Sequence, residues 1–196
     1  MFAALIELVA ELFPSVSPTT VARCLREVTQ QDFDPGRLFL PRPFEYLAQG
    51  DVIAPIAFLM VEEGGELFRY DGPAVLLSNT CDSEHDENVL LAASYPFGTL
   101  LEDNPVDENS LRNNCILNLL YLPMIGDDGR GIVADLSWIQ AHRRDWVVSA
   151  LQRGQIRKLY SLSDIGFYLL LAKLTLHLLR PETPETVEKR GTQVAP

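Results

Sequence analysis

Apolar residues recur along this chain with two periods, and the changes between them predict its elements. Residues 2–13 place Leu5, Leu8, Val9 and Leu12 on one helical face and Glu7 and Glu11 on the other, and Pro14 ends the run. Ser17 and Pro18 then supply an N-cap and a first-turn proline for a second amphipathic helix through Val21, Leu25 and Val28, reaching about Gln31. A proline-broken connector occupies 33–43. Short apolar runs follow at 51–60, 67–70, 74–78, 89–94, 116–122 and 132–136. Turn signals separate several of them, at Glu63-Gly64-Gly65, Asp71-Gly72-Pro73 and Asp127-Asp128-Gly129, and 105–114 is a polar loop. Short strands at this spacing predict a small barrel and not a parallel α/β sheet. From Ser137 the spacing of Trp138, Trp146, Val147, Ala150 and Leu151 predicts a return to helix. Ser163 is the expected N-cap of a strongly apolar helix at Ile165 to Leu179, which Pro181 stops. Residues 182–196 lack periodicity and are expected to be disordered. The predicted organisation is a helical extension and connector at 1–42, a barrel at 43–136, helices at 137–181 and a tail at 182–196.

Charge is unevenly distributed. The chain has 196 residues and a formal net charge of −11. The segment from Glu62 to Glu108 holds twelve acidic residues and a single arginine, Arg69, and so carries the whole of that net charge. The segment from Ile139 to Arg180 holds seven basic residues against two acidic ones. An acidic face repels phosphate backbones, so nucleic acid is not an expected partner there. The basic stretch reads as a solvated helix face, with a local positive patch as the alternative. Cys24, Cys81 and Cys115 are odd in number and irregular in spacing, which fits a reducing cytoplasm better than a disulfide framework. The N-terminal apolar run has no basic leader and contains Glu7 and Glu11, so it does not read as a signal peptide. Lys173 and His177 interrupt the apolar C-terminal helix, and no membrane association is expected.

The densest chemistry lies between two predicted core strands. Ser78-Asn79-Thr80-Cys81-Asp82-Ser83-Glu84-His85 brings a thiol, carboxylates and an imidazole into eight residues. If Cys81 to His85 form one helical turn, thiol and imidazole share a face, and Cys81, Asp82 and His85 become candidates for nucleophilic or acid–base work. Carboxylates beside the thiol raise its pKa, so a nearby cation is required for a reactive thiolate. The alternative reading makes Cys81 a buried apolar residue and Asp82 the cap of a turn. Ser78, Asn79 and Thr80, with Asn114 from before a later strand, are candidate ligand-binding residues. No metal is expected; zinc held by Cys81, Asp82, His85 and Cys115 is an alternative that matches no standard module spacing.

Three segments carry a family resemblance. Gly50-Asp51-Val52 is similar to the strand opener of the PemK/MazF-like group. Gly72-Pro73-Ala74-Val75-Leu76-Leu77-Ser78 resembles its Arg-Pro-x-aliphatic-Ser strand, and Val89 to Pro96 resembles the strand that comes next. The resemblance covers residues 49–136, about half the chain, and implies an SH3-like barrel. Ribonucleases of that group place an arginine before the proline and use it in RNA cleavage, whereas this chain has Gly72 there. The Ser-x-x-Cys-Asp segment at Ser78 to Asp82 looks like that of a bacterial offshoot of the group.

The expected fold is therefore α+β: a small SH3-like β-barrel with an N-terminal helical pair and packed C-terminal helices. The expected function is an interaction or ligand-binding protein, in a bacterial toxin–antitoxin or defence setting, engaging a protein partner, a second copy of itself or a small ligand. The alternative is a nucleotide- or RNA-directed hydrolase using Cys81, Asp82 and His85. Metal-free phosphoester cleavage needs a cation on the developing charge, so that alternative requires Arg69, Arg112 or Arg143 beside Cys81.

Overall fold

A computed structural model of the chain describes residues 17–28, 30, 32–103, 106–123 and 130–179, together with 186, 188 and 189. The helix expected at 2–13 and most of the tail expected at 182–196 lie outside these residues. The architecture is α+β. Helix α1 (Pro18–Val28) and a 3-10 turn (Pro35–Leu38) lead to strands β1 (Val52–Val61) and β2 (Leu67–Leu76). The one-turn helix α2 (Asp82–His85) precedes β3 (Asn88–Pro96), and helices α3 (Phe97–Asp103) and α4 (Glu108–Arg112) precede β4 (Leu119–Leu122). Strand β5 (Ile132–Arg143), helix α5 (Arg144–Gln152), strand β6 (Arg157–Tyr160) and helix α6 (Asp164–Leu178) follow.

The six strands form one sheet in the order β4-β5-β3-β2-β1-β6, and every neighbouring pair is antiparallel. The backbone ladder does not close on itself. Its two edge strands have only four residues each, and β6 covers β1 only from Val52 to Ala54. Side chains and a helix occupy the gap instead. The amide of Gln140 on β5 reaches across to Leu59 on β1, accepting from its N–H at 3.1 Å and donating to its carbonyl. Helix α6 packs its Ile165, Leu169 and Leu170 among Leu120, Leu122, Ile132 and Ala134 of β4 and β5.

Both faces of the central strands are buried. Val52, Val75 and Ala92 face α6, whereas Ile53, Ile56, Phe58, Ala74, Leu76, Leu91 and Ala93 face α5 with Val147 and Ala150. This explains why Ala74 to Leu77 reads as a continuous apolar run and not an alternating one. Helix α6 is likewise buried at successive positions from Leu169 to Lys173, in keeping with its all-round apolar sequence, and Ser163 caps it by accepting from Gly166 N.

Other boundaries differ from expectation. The Asp71-Gly72-Pro73 signal does not break β2: Asp71 and Gly72 stay paired with Ala57 and Ile56 of β1, and Pro73 falls where the register shifts between Ile53 and Ile56. Residues 137–143, expected as helix, extend β5 along β3, and 157–160 form β6. The loop at 105–114 contains α4, capped by Asp107 accepting from Ser110 N at 2.7 Å.

The Gly50-Asp51 opener is fixed by conformation and by charge. Gly50 has φ +89°, and a Cβ there would meet Leu162 at 2.7 Å. The Asp51 carboxylate is fully buried; it pairs with Lys158 of β6 at 2.7 Å and accepts from Ala48 N at 2.8 Å and from the Ser161 hydroxyl. Lys158 also donates to the carbonyls of Phe44 and Tyr46. The network ties connector, first strand and last strand together with each of these groups satisfied.

Candidate functional site

The Ser78 to Glu87 segment leaves the end of β2 and turns back into β3. Its small polar side chains serve the turn itself. Ser78 Oγ accepts from Leu90 N at 2.8 Å, Asn79 Oδ1 from Cys81 N at 2.9 Å, and Thr80 Oγ1 from Gln49 N at 3.2 Å. Gln49 completes that link by donating to the Leu77 carbonyl at 2.7 Å. Ser83 is buried, and its carbonyl accepts from Arg144 Nε at 2.7 Å. Asn79, Ser78 and Thr80 thus hold the shape of a knuckle whose outer residues are free to face solvent.

Cys81, Asp82 and His85 are those outer residues. All three are exposed, with Cys81 immediately before the helical turn and Asp82 and His85 at its two ends. The reading of Cys81 as a buried apolar residue is therefore corrected: the segment bends outward at Asn79, and the thiol leaves the core. Among the described residues no hydrogen bond or ion pair joins the thiol, the carboxylate and the imidazole, and no group of three or more His, Cys, Asp or Glu side chains is placed to hold a metal ion.

The three arginines that could assist a cleavage reaction are each paired with a carboxylate. Arg69 is bidentate to Asp71 at 2.7 and 2.8 Å. Arg112 pairs with Glu108 at 2.8 Å and stacks over Phe97, 4.4 Å from its ring centre. Arg143 is shared between Asp145 at 3.3 Å and Glu87 at 3.5 Å. Asn114 belongs to another corner: with φ +54°, it bonds Tyr121 N at 2.7 Å and Tyr121 O at 3.2 Å through its side-chain amide. Beside it, Cys115 is exposed. Of the ligand-binding candidates, Thr80 lines a cavity. A groove of about 220 Å³ lies between Phe44, Tyr46, Gln49, Thr80, Asp164 and Phe167.

A second feature has no counterpart among the sequence candidates. Tyr70, Tyr95 and Trp138 pack mutually, with ring centres 4.9, 6.0 and 6.1 Å apart, over the buried ring of Phe58. Phe68 adjoins Trp138 at 6.4 Å, and His142 continues the row between Phe58 and Trp146. The Tyr70 hydroxyl donates to the Ser94 carbonyl at 2.5 Å, which draws its ring across Gly72, where a Cβ would stand 2.1 Å from the hydroxyl oxygen. Burial pushes the Tyr95 hydroxyl up to about 12, helped by the charge of Asp135. Burial lowers the pKa of His142, whose Nε2 has no hydrogen-bond partner among the described residues. The available signal was the aromatic alternation Phe68-x-Tyr70 and Trp138-x-x-x-His142, which is period-two only once β5 is known to be a strand.

No protein-family model matches the chain, and no curated protein matches it. No helix of the described residues is long and apolar enough to cross a membrane.

Proposed function

We propose that this chain is a protein-interaction module on a PemK/MazF-like, SH3-like barrel, acting in the cytoplasm within a bacterial toxin–antitoxin or defence system, and that it has lost the ribonuclease chemistry of that group. The observation that carries this reading is the covering of Gly72 by Tyr70. The position at which the group's ribonucleases hold their arginine has no room for a side chain while Tyr70 donates to Ser94. Cleavage of a phosphoester without a metal needs a preorganised cation, and Arg69, Arg112 and Arg143 are each held by a carboxylate of their own. The exposed Cys81, Asp82 and His85 lack the mutual contacts of an activated nucleophile.

The hydrolase alternative is tested by turnover. Wild type and Cys81→Ser are incubated with RNA and with nucleotides, with and without added zinc, and both are melted. The interaction reading expects no turnover by either protein and, because the thiol is exposed, melting temperatures that coincide within about 0.5 kcal/mol of stability. Turnover by the wild type that Cys81→Ser abolishes replaces this reading with the hydrolase one.

A further inference from the structure

We infer that the aromatic row at the open end of the sheet is a docking platform for an extended, basic and apolar segment of a partner protein. The inference rests on the reading of the chain as an interaction module and names the chemistry of its partner.

The platform is built by strand alternation. Phe58 pairs with Tyr70 and Met60 with Phe68 across β1 and β2, and residues two apart on a strand share a face. Trp138 and His142 occupy that same side from β5. Phe58 is fully buried and serves as the floor. Above it Tyr70, Tyr95 and Trp138 are only partly covered, and Phe68, Met60 and Trp146 are 40%, 44% and 41% exposed. Ring centres about 5–6 Å apart leave no gap for an inserted side chain. The surface is therefore one on which flat or aliphatic groups lie, as proline and leucine of an extended chain do.

Charge decides between possible occupants. The turn of the β1–β2 hairpin presents Glu62, Glu63 and Glu66, all exposed, and Asp135 lies near Tyr95 at the other side. The only arginine of the hairpin, Arg69, is held by Asp71. Four carboxylates without a basic partner among the described residues thus rim a set of electron-rich rings. Lysine or arginine is attracted by both, through ion pairing at the rim and cation–π contact on the faces. A single-stranded nucleic acid would stack on the same rings but meet repulsion at that rim. A second copy of this chain would bring a like-charged rim against it.

Trp138 reports on the platform directly. A full-length Trp146→Phe protein leaves Trp138 as the only tryptophan, and its emission is followed while three synthetic peptides are added: lysine alternating with proline and leucine, the same with glutamate for lysine, and the same with serine for proline and leucine. Oligo-thymidine is the fourth probe. The expected result is saturable binding of the first peptide alone. Binding should weaken about tenfold or more in Glu62→Lys/Glu63→Lys/Glu66→Lys and in Phe68→Ser, and also on raising salt. These positions are exposed, so the loss comes without any fall in melting temperature. No binding of the first peptide, equal binding of the glutamate or serine peptides, preferred binding of oligo-thymidine, or self-association that Phe68→Ser disperses would each overturn the inference. The interaction reading itself falls on a different result, Cys81-dependent turnover.

Discussion

The Lys173 amine lies on α6 at 4% exposure, with no carboxylate paired to it among the described residues. It donates to the carbonyls of Asn114 at 2.8 Å and of Ile116, closing the turn before β4. Burial lowers its pKa from a lysine's ordinary 10.5 to about 8. A neutral amine still offers two hydrogens, one for each carbonyl, so deprotonation relieves the burial cost while keeping both bonds. Between pH 8 and 10.5 the unfolded chain holds the proton and the folded chain does not, so folding stability rises with pH across that window. The stability of wild type relative to Lys173→Met should accordingly increase by up to about 3 kcal/mol from pH 7.5 to 10.5, measured by denaturant unfolding. A difference that stays flat or shrinks with pH would show that the amine is not desolvated. In the sequence Lys173 reads only as an interruption of an apolar helix, because its acceptors are backbone carbonyls 59 and 57 residues away. The same limit applies to Gly72, where the glycine is visible but Tyr70 lying over it is not. From the sequence Ser78, Asn79 and Thr80 read as ligand-binding candidates; in the fold their oxygens accept from Leu90 N of β3, from Cys81 N in the turn and from Gln49 N of the connector, with Cys81, Asp82 and His85 outward.

At the level of elements, long periodic segments were the legible ones. Helix α1 follows its apolar face and α6 its all-round apolar run, and Val21, Leu25 and Ala172 meet where the two pack. Strand β6 has four residues and is placed by its pairing with β1 and by the Lys158–Asp51 bridge, neither of which is local. In β5 the outward and inward residues beyond Leu136 are both partly polar, so the period-two signal fades where the strand passes from core to rim. Gln140 sits in that faded stretch. Its amide imitates a neighbouring peptide group toward Leu59, on the part of β1 that β6 does not cover. Gln140→Ala should free both Leu59 groups, lower stability by about 1 kcal/mol, and accelerate hydrogen exchange of the Leu59 amide well beyond that of its buried neighbour Phe58. An unchanged Leu59 exchange rate would mean that the bridge contributes nothing to holding the ends of the sheet together.

Across the whole molecule, the acidic and basic segments that are separate in sequence are brought together by the sheet. Pairing of β3 with β5 sets Asn88 opposite Arg143, and Arg143 and Arg144 meet Glu87 and the Ser83 carbonyl. These contacts do little against the −11 charge, because the ion pairs involved are exposed and screened by solvent. The deeply buried Asp51–Lys158 pair is shielded from bulk ions. Two opposed effects of salt follow: it weakens the surface pairs, and it screens the self-repulsion of a strongly acidic surface. With so few and such exposed pairs, screening of repulsion is the larger effect. The melting temperature should therefore rise as sodium chloride is increased from about 20 mM to about 500 mM, over which the screening length falls from roughly 20 Å to roughly 4 Å. Glu62→Lys/Glu63→Lys/Glu66→Lys, which replaces three negative charges of the hairpin tip by three positive ones, should flatten that dependence. A melting temperature that falls with salt would instead assign the surface ion pairs the dominant electrostatic role.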